Sequence, residues 1–188
     1  MPSSIRRLTA LDHQRLARLL RRALAPGPSQ DRWRAEFAGL LRAHRLAERD
    51  QVLPVVVAEM PSLAPVARDL AEHDVELDRM ADQVQHGDLD GLTGRAQLLL
   101  DEHSRRWATA LMAPLEAGVP RLLVRRMGGA YEEARDARLQ HHGVGEAPPR
   151  RLDLSRAELY ELARRAGIEG RSAMTRGQLI AALQEQQT

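Results

Sequence analysis

Residues 31–58 read DRWRAEFAGLLRAHRLAERDQVLPVVVA, a long helical pattern that includes two residue types able to bind metals. Its apolar positions recur every three or four residues, which is the spacing of one face of an α-helix. His44 and Glu48 both fall within that face, four residues apart, so their side chains are neighbours on the same side of the helix. The stretch therefore predicts a helix that carries an imidazole and a carboxylate into the core. The predicted inward stripe is Trp33, Phe37, Leu40, His44, Glu48 and Val52.

Proline and glycine separate this stretch from further helical segments on both sides. Four long helical segments are predicted: Ser4 to Leu24, Asp31 to Ala58, Pro65 to Gln85 and Leu92 to Leu115. Because the connections are short, sequential helices are expected to be antiparallel neighbours. The predicted fold is all-α, an up-down-up-down four-helix bundle within residues 1–142. A further helix at 121–140 completes it, and Gly128 and Gly129 are expected to break or kink that helix.

Each of the four long segments places one histidine inside its apolar stripe. These histidines are His13, His44, His73 and His103. All four lie about 11–14 residues from the same end of the predicted bundle, which is roughly 17–21 Å at a rise of 1.5 Å per residue. The sequence therefore predicts four imidazoles in one layer, with Glu48 beside them. The remaining histidines, His86, His141 and His142, fall in loop or tail positions.

The composition limits the chemistry of such a layer. The chain has no cysteine and no lysine, so thiolate metal sites and lysine-based catalysis are excluded, and any metal must bind to imidazole and carboxylate. Buried imidazoles without a metal would need other partners, which leaves a water-filled polar layer or a site that has lost its metal as alternatives. The ligand set favours iron, with zinc, manganese or copper as alternatives.

Several short motifs resemble the hemerythrin-like HHE cation-binding domains over residues 5–140. They are Leu11-Asp12-His13, His44-Arg-Leu-Ala-Glu48 followed by Val52-Leu53-Pro54, Glu72-His73, His103, and the segment Met127 to Arg135. The resemblance implies a four-helix bundle with a non-haem, usually di-iron, centre. It also implies roles in oxygen binding, oxygen or nitric oxide sensing, iron handling or peroxide defence, with a small gas or peroxide as the ligand.

One position departs from the family pattern. The fourth helix of the family normally carries a carboxylate four residues after its histidine, where it bridges two irons, but this chain has Trp107 there. We interpret Trp107 as a core residue that fills the volume of the missing ligand, with a role in electron transfer as the alternative. A mononuclear or weakened site held by five ligands is therefore favoured over a di-iron centre. The candidate ligands are His13, His44, Glu48, His73 and His103, whereas Asp12 and Glu72 are interpreted as solvated or capping charges.

The carboxy-terminal residues form a separate predicted module. Residues 143–150 have the glycine and proline content of a linker. In residues 151–188, Ser155 and Glu158 form a capping box, Gly167 ends the first helix, and a second helix begins near Thr175 after an extended connector at 168–174.

This module resembles the Rho termination factor N-terminal and SAP-like modules. The resemblance is carried by the core Gly167-Ile168-x-Gly170-Arg171-Ser172-x-Met174-Thr175 and by Leu179-Ile180-x-x-Leu183. Modules of this kind often bind DNA or RNA, which the resemblance therefore implies as one role. A protein-docking or merely structural role is the alternative, and the small surplus of positive charge favours it. Arg171 and Arg176 are the candidate phosphate contacts, with solvated surface charges as the alternative interpretation.

The charge balance gives little support for strong nucleic-acid binding. The formal net charge of the whole chain is +2, and residues 150–188 contain 7 arginines and 5 acidic residues. No apolar run is long enough to span a bilayer, and no signal sequence is recognisable, so we expect no membrane partner and a cytoplasmic location.

The leading hypothesis is a metal-binding bundle, with iron as the favoured metal, that acts in redox or gas sensing or in oxidative defence. The alternative is a metal-free helical scaffold that carries a nucleic-acid- or protein-binding module. Enzyme activity stays open, because no proton-transfer pair and no substrate pocket can be named from the sequence.

Overall fold

A computed structural model describes residues 4–141 and 155–185. Every regular element within these ranges is helical, which confirms the all-α prediction. The chain divides into two compact units, Met1–Gly145 and Glu146–Thr188. The predicted linker at 143–150 lies outside the described residues.

Within residues 4–141, the described part of the first unit, there are seven α-helices. They are α1 (Ile5–Leu24), α2 (Gln30–Ala47), α3 (Leu53–Glu59), α4 (Ala64–His86), α5 (Leu92–Arg106), α6 (Ala113–Gly118) and α7 (Arg121–His141). Helix α1 packs against α2, α2 against α4, α4 against α5, and α5 against α1, so these four helices enclose a common core. Helix α7 packs along α1 and α2 and closes one side of the unit.

The second and fourth predicted segments are each interrupted by a π-helical turn. The turns are Glu48–Val52, between α2 and α3, and Trp107–Met112, between α5 and α6. In the first turn the Leu53 N–H bonds the carbonyl oxygen of Glu48, five residues back. A proline follows each turn by two residues, at Pro54 and Pro114, and it lacks the N–H that a regular α-helix would use there. Such turns occur frequently at functional sites.

Two apolar clusters fill the first unit. One contains Leu16, Leu20, Phe37, Leu41, Leu77, Met80 and Leu100, and the other contains Ile5, Leu8, Val52, Leu70, Trp107, Leu111 and Tyr131. Along α1, α2 and α5 the buried histidines lie between residues of the first cluster and residues of the second. The polar layer is therefore bounded by packed apolar side chains on both sides.

Helix α7 continues through Gly128 and Gly129, where the sequence predicts a break or a kink. It runs from Arg121 to His141 as one helix, so the predicted break at Gly128 and Gly129 is wrong. The buried side chains Met127 and Tyr131 lie on either side of the glycine pair. Packing of these residues against α1 and α2 outweighs the low helix propensity of glycine, which costs about 1 kcal/mol per residue.

The second unit contains two short helices, α8 (Arg156–Arg165) and α9 (Arg176–Glu185), around a small core of leucine and isoleucine. Ser155 and Glu158 form the predicted capping box, and Gly167 adopts a left-handed conformation after α8. The predicted extended connector at 168–174 is wrong: it consists of turns, with hydrogen bonds from Ala173 N–H to the Gly170 carbonyl and from Met174 N–H to the Arg171 carbonyl. The left-handed Gly170, with φ of 68°, lies within these turns.

None of the helices in the described ranges combines the length and the apolar character that crossing a bilayer requires.

Candidate metal centre

Four side chains from three helices converge in the middle of the first unit. His13 comes from α1, His44 from α2, Glu48 from the start of the first π-helical turn, and His103 from α5. One possible ligand atom from each residue lies within 4.8 Å of the other three, and all four residues are buried. The structure thus brings together four of the five ligands that the sequence predicts.

Glu48 stands at the centre of this group. Its Oε1 lies 3.1 Å from His44 Nε2 and 3.9 Å from His13 Nε2, and its Oε2 lies 3.3 Å from His103 Nε2. The Nε2 atoms of His13 and His44 are 3.0 Å apart. Ligands bound tetrahedrally at about 2.1 Å from one ion are about 3.4 Å from each other. The observed spacings therefore fit the ligand set of a single metal ion.

Several polar atoms of this layer make no hydrogen bond of normal geometry, although Glu48 lies within ion-pair distance of His44 and His103. Both carboxylate oxygens of Glu48 and both ring nitrogens of His103 are buried in this state. Buried polar groups in native proteins are almost always paired, because an unpaired one costs about 1–3 kcal/mol. A cation among these atoms would satisfy the carboxylate and Nε2 of His103 together, so the residues present fit a bound metal.

Burial and neighbouring charges shift the pKa values of Glu48, His44 and His13. Burial would raise the pKa of Glu48, but the charges of His44 and His103 outweigh burial and hold that pKa well below its usual range. Burial would lower the pKa of His44, yet Glu48 and Asp12 raise it to about 9. Burial lowers the pKa of His13 well below 6.5, and the charge of His44 acts in the same direction. Near pH 7 the metal-free group thus holds a protonated His44 beside an ionised Glu48.

A buried hydrogen-bond network supports His44 from the side away from Glu48. The Tyr131 hydroxyl lies 2.5 Å from His44 Nδ1 and donates to Asp12 Oδ2, also at 2.5 Å. Arg135 donates to both oxygens of Asp12, at 3.0 and 2.8 Å. With Tyr131 donating to Asp12, its oxygen accepts from His44 Nδ1–H, which leaves Nε2 directed at Glu48. Such partners orient ligating histidines in metal sites.

The sequence interpretation of Asp12 as a solvated or capping charge is wrong. Asp12 is buried, and its pKa is lowered to about 2 because the bonds to His44, Arg135 and Tyr131 outweigh the effect of burial. The sequence feature that could have indicated a buried Asp12 is the segment Met127 to Arg135, because it contains both partners of Asp12, Tyr131 and Arg135.

The fifth predicted ligand, His73, lies outside the group of four. Its Nε2 is 3.1 Å from the carbonyl oxygen of Leu99, and its ring is stacked on that of His103 with the centroids 6.2 Å apart. It lines a surface pocket together with Asp69, Glu72, Glu76 and Arg106. The residue of α4 that is buried on the inward side is Asp74, which the sequence analysis did not single out.

Trp107 occupies the position four residues after His103. Its side chain is 2% exposed, its Nε1–H donates to Thr9 Oγ1 at 3.1 Å, and its ring stacks against His103. These contacts agree with the interpretation of Trp107 as a core residue, and α5 contributes only His103 to the group.

In the second unit, one candidate phosphate contact is engaged within the module. Arg171 donates to the Ile168 carbonyl oxygen at 2.9 Å, and its guanidinium lies 5.9 Å from the centre of the Tyr160 ring. Arg156 likewise bonds the carbonyl oxygens of Ser172 and Met174. Arg176, the other candidate, is exposed at the start of α9.

Comparison with protein-family models gives a match for this second unit. The family described as Rho termination factor, N-terminal domain, matches residues 153–188. Searches of curated proteins and of solved structures found no match to the chain. The match supports the resemblance of the carboxy-terminal module, whereas the resemblance of residues 5–140 to hemerythrin-like domains stays a prediction.

Proposed function

We propose that residues 4–141 form a non-haem metal centre in which His13, His44, Glu48 and His103 bind one ion, with iron as the favoured metal. The observation that carries this proposal is the convergence of Glu48 and three imidazoles in a buried layer, where the carboxylate of Glu48 and the ring of His103 make no hydrogen bond of normal geometry. Three neutral imidazoles and one carboxylate suit iron, zinc or manganese.

Within this centre each residue has a definable task. Glu48 supplies the negative charge that offsets the charge of the cation, and the imidazoles supply nitrogen ligands. The network of Tyr131, Asp12 and Arg135 keeps Nε2 of His44 directed into the centre. The apolar clusters on both sides exclude water from the layer. A bound iron would supply one-electron redox chemistry and an open position for a small ligand.

The resemblance of residues 5–140 to hemerythrin-like domains suggests what that small ligand is. It favours oxygen, nitric oxide or peroxide, and therefore a role in redox or gas sensing or in oxidative defence. The single carboxylate favours a mononuclear site, because the family pattern uses a second carboxylate to bridge two irons and Trp107 replaces it here.

Metal analysis of the full chain, purified without a histidine tag and loaded anaerobically with ferrous iron, tests this proposal. We expect about one ion per chain in the wild type and in the His86→Ala control, because His86 lies at the exposed end of α4. We expect stoichiometric metal to be lost in His44→Ala. Wild-type protein that retains no metal after loading would overturn the proposal.

The match to the Rho termination factor N-terminal domain supports a second candidate function, in which the module of residues 151–188 binds nucleic acid. Binding through phosphate contacts would weaken steeply as salt rises. The expected result is salt-dependent binding of single-stranded RNA or DNA to the full chain, which deletion of residues 150–188 abolishes. Arg176→Ala is expected to weaken binding more than Arg164→Ala, because Arg176 directly follows the motif Gly167 to Thr175 that carries the resemblance, whereas Arg164 lies outside that motif. Equal binding before and after the deletion would contradict this function.

A further inference from the structure

The environment of His103 resembles that of His44 on the side facing away from Glu48. In both cases an aspartate from the preceding long helix approaches the Nδ1 atom of the histidine. Asp12 Oδ2 lies 3.7 Å from Nδ1 of His44, and Asp74 Oδ1 lies 3.8 Å from Nδ1 of His103. The two halves of the layer therefore repeat the same pairing of a histidine with an aspartate.

Each aspartate is also held by an arginine. Arg135 bonds Asp12, and Arg45 Nη1 lies 3.2 Å from Asp74 Oδ2. Arg45 is itself buried, and its other terminal nitrogen contacts Asp78. Because Arg45 engages Oδ2, the remaining oxygen of Asp74 is the one that faces His103.

The two halves differ in what lies between the aspartate and the histidine. The Tyr131 hydroxyl bridges Asp12 and His44, whereas Asp74 Oδ1 and His103 Nδ1 are both buried and have no hydrogen-bond partner. A distance of 3.8 Å is too long for a hydrogen bond, and an approach of about 0.9 Å would bring the two atoms to a normal one. An acceptor oxygen and a ring nitrogen that can carry a hydrogen are complementary, so this approach would satisfy two unpaired atoms at once.

We propose that Asp74 is the positioning residue of His103: it accepts a hydrogen bond from His103 Nδ1–H, which keeps Nε2 directed at Glu48. This role of Asp74 rests on the proposed metal centre, because it serves to orient a metal ligand. The distances that support it do not depend on a bound metal. The proposed role assigns to Arg45 the task of fixing the carboxylate of Asp74, as Arg135 fixes that of Asp12. It also gives α4 a role in the centre, although α4 contributes no residue to the group of four.

Nuclear magnetic resonance of 15N-labelled histidine in the metal-free protein tests this hydrogen bond directly. We expect His103 Nδ1 to carry a hydrogen in the wild type at pH 7.5 and to lose it in Asp74→Asn. The matched control is Asp78→Asn, since Asp78 also contacts Arg45 but is partly exposed. We expect this control to keep the wild-type signal. A wild-type His103 without a hydrogen on Nδ1, or the same signal in Asp74→Asn as in the wild type, would overturn the inference.

Zinc titration against a competing chelator provides a second readout. We expect Asp74→Asn to bind zinc about 10- to 100-fold more weakly than the wild type, the range found when a group supporting a ligand is removed. Asp78→Asn is expected to remain within about 3-fold of the wild type, since it leaves Asp74 in place. Equal losses in the two variants would contradict a specific role for Asp74. Failure of the wild type to bind any metal would overturn the proposed metal centre, while the resonance of His103 would still decide the role of Asp74.

Discussion

The segments His44 to Pro54 and His103 to Pro114 have the same backbone arrangement but carry different side chains at the start of the π-helical turn. In each segment a buried histidine lies in an α-helix, and a π-helical turn begins four residues after it. A proline follows that turn by two residues. The residue that opens the turn is Glu48 in the first segment and Trp107 in the second. Glu48 contacts three imidazoles, whereas Trp107 bonds to Thr9 and packs in an apolar cluster.

This difference shows that two segments with the same backbone arrangement need not supply equivalent sets of candidate metal ligands. The first segment supplies an imidazole and a carboxylate, and the second supplies an imidazole alone. The group of four thus contains a single carboxylate, which limits the charge it can offset. Substitutions at Glu48 and at Trp107 separate the two segments experimentally.

The largest expected effect is that of Glu48→Gln. This change keeps the shape of the side chain but removes the charge that faces His13, His44 and His103, so we expect stoichiometric iron binding to be lost. In the metal-free protein it leaves a buried imidazolium unpaired, which costs about 3–5 kcal/mol of unfolding free energy. Metal analysis and urea unfolding measure the two effects. Glu102→Gln is the control because Glu102 pairs with Arg105 and Arg106 at the surface, and normal iron binding in Glu48→Gln would contradict the account.

Trp107→Ala tests the corresponding position of the second segment. The change removes a fully buried indole and its hydrogen bond to Thr9, so we expect a loss of about 3–5 kcal/mol in the free energy of unfolding. We expect the number of ions per folded chain to stay the same, because Trp107 supplies no ligand. Urea unfolding and metal analysis of the folded fraction check both statements. A folded variant that no longer binds metal would show that Trp107 does more than fill the core.

The metal-free protein is expected to lose stability as pH rises from 6.5 to 9. Because the pKa of His44 is raised to about 9, the folded protein binds this proton more tightly than the unfolded chain does. The resulting stabilisation is complete below pH 6.5, amounts to about 3 kcal/mol, and disappears as pH rises through 9. His13 does not contribute in this range, since its pKa is lowered and its effect is constant above pH 6.5.

Urea unfolding at a series of pH values measures this dependence. The His86→Gln control is expected to show the same decrease as the wild type, and His44→Gln is expected to show a much smaller one. Equal slopes in the wild type and in His44→Gln would mean that another group causes the decrease.

The smallest expected effect is that of His73→Ala, which removes the fifth ligand predicted from the sequence. His73 is partly buried, and its Nε2 hydrogen-bonds the Leu99 carbonyl oxygen, so a loss of about 1 kcal/mol in unfolding free energy is expected. Iron binding is expected to remain at the wild-type stoichiometry. Loss of the ion in this variant would show that His73 joins the centre when metal is bound.

The sequence predicted most of the bundle and most of the candidate site, because both depend on helical periodicity. In α1, His13 is buried together with apolar residues from Ile5 to Ala23, as its predicted place inside an apolar stripe requires. In α4 the same reasoning chose His73 instead of Asp74. Adjacent residues differ by only 100° around a helix, and the apolar residues Leu70 and Leu77 flank both. The burial of Asp74 depends on Arg45 in another helix, which no pattern within α4 can reveal.

The support of His44 could not be predicted for a similar reason. Tyr131 lies 87 residues from His44 and 119 from Asp12, so their contacts exist only once α7 packs along α1 and α2. The resemblance of the segment Met127 to Arg135 to a known family pointed to its importance but not to its contacts. Pairings between distant helices depend on tertiary packing, whereas the ligands themselves follow from local spacing.

Anomalous scattering at the iron edge from crystals of the iron-loaded protein tests the central claim most directly. The account predicts one anomalous peak per chain, surrounded by His13, His44, Glu48 and His103. A second peak beside Trp107 or His73 would contradict the claim that the chain binds a single ion and that the segment from His103 to Pro114 supplies only one ligand. The absence of a peak from this layer would contradict the metal centre itself.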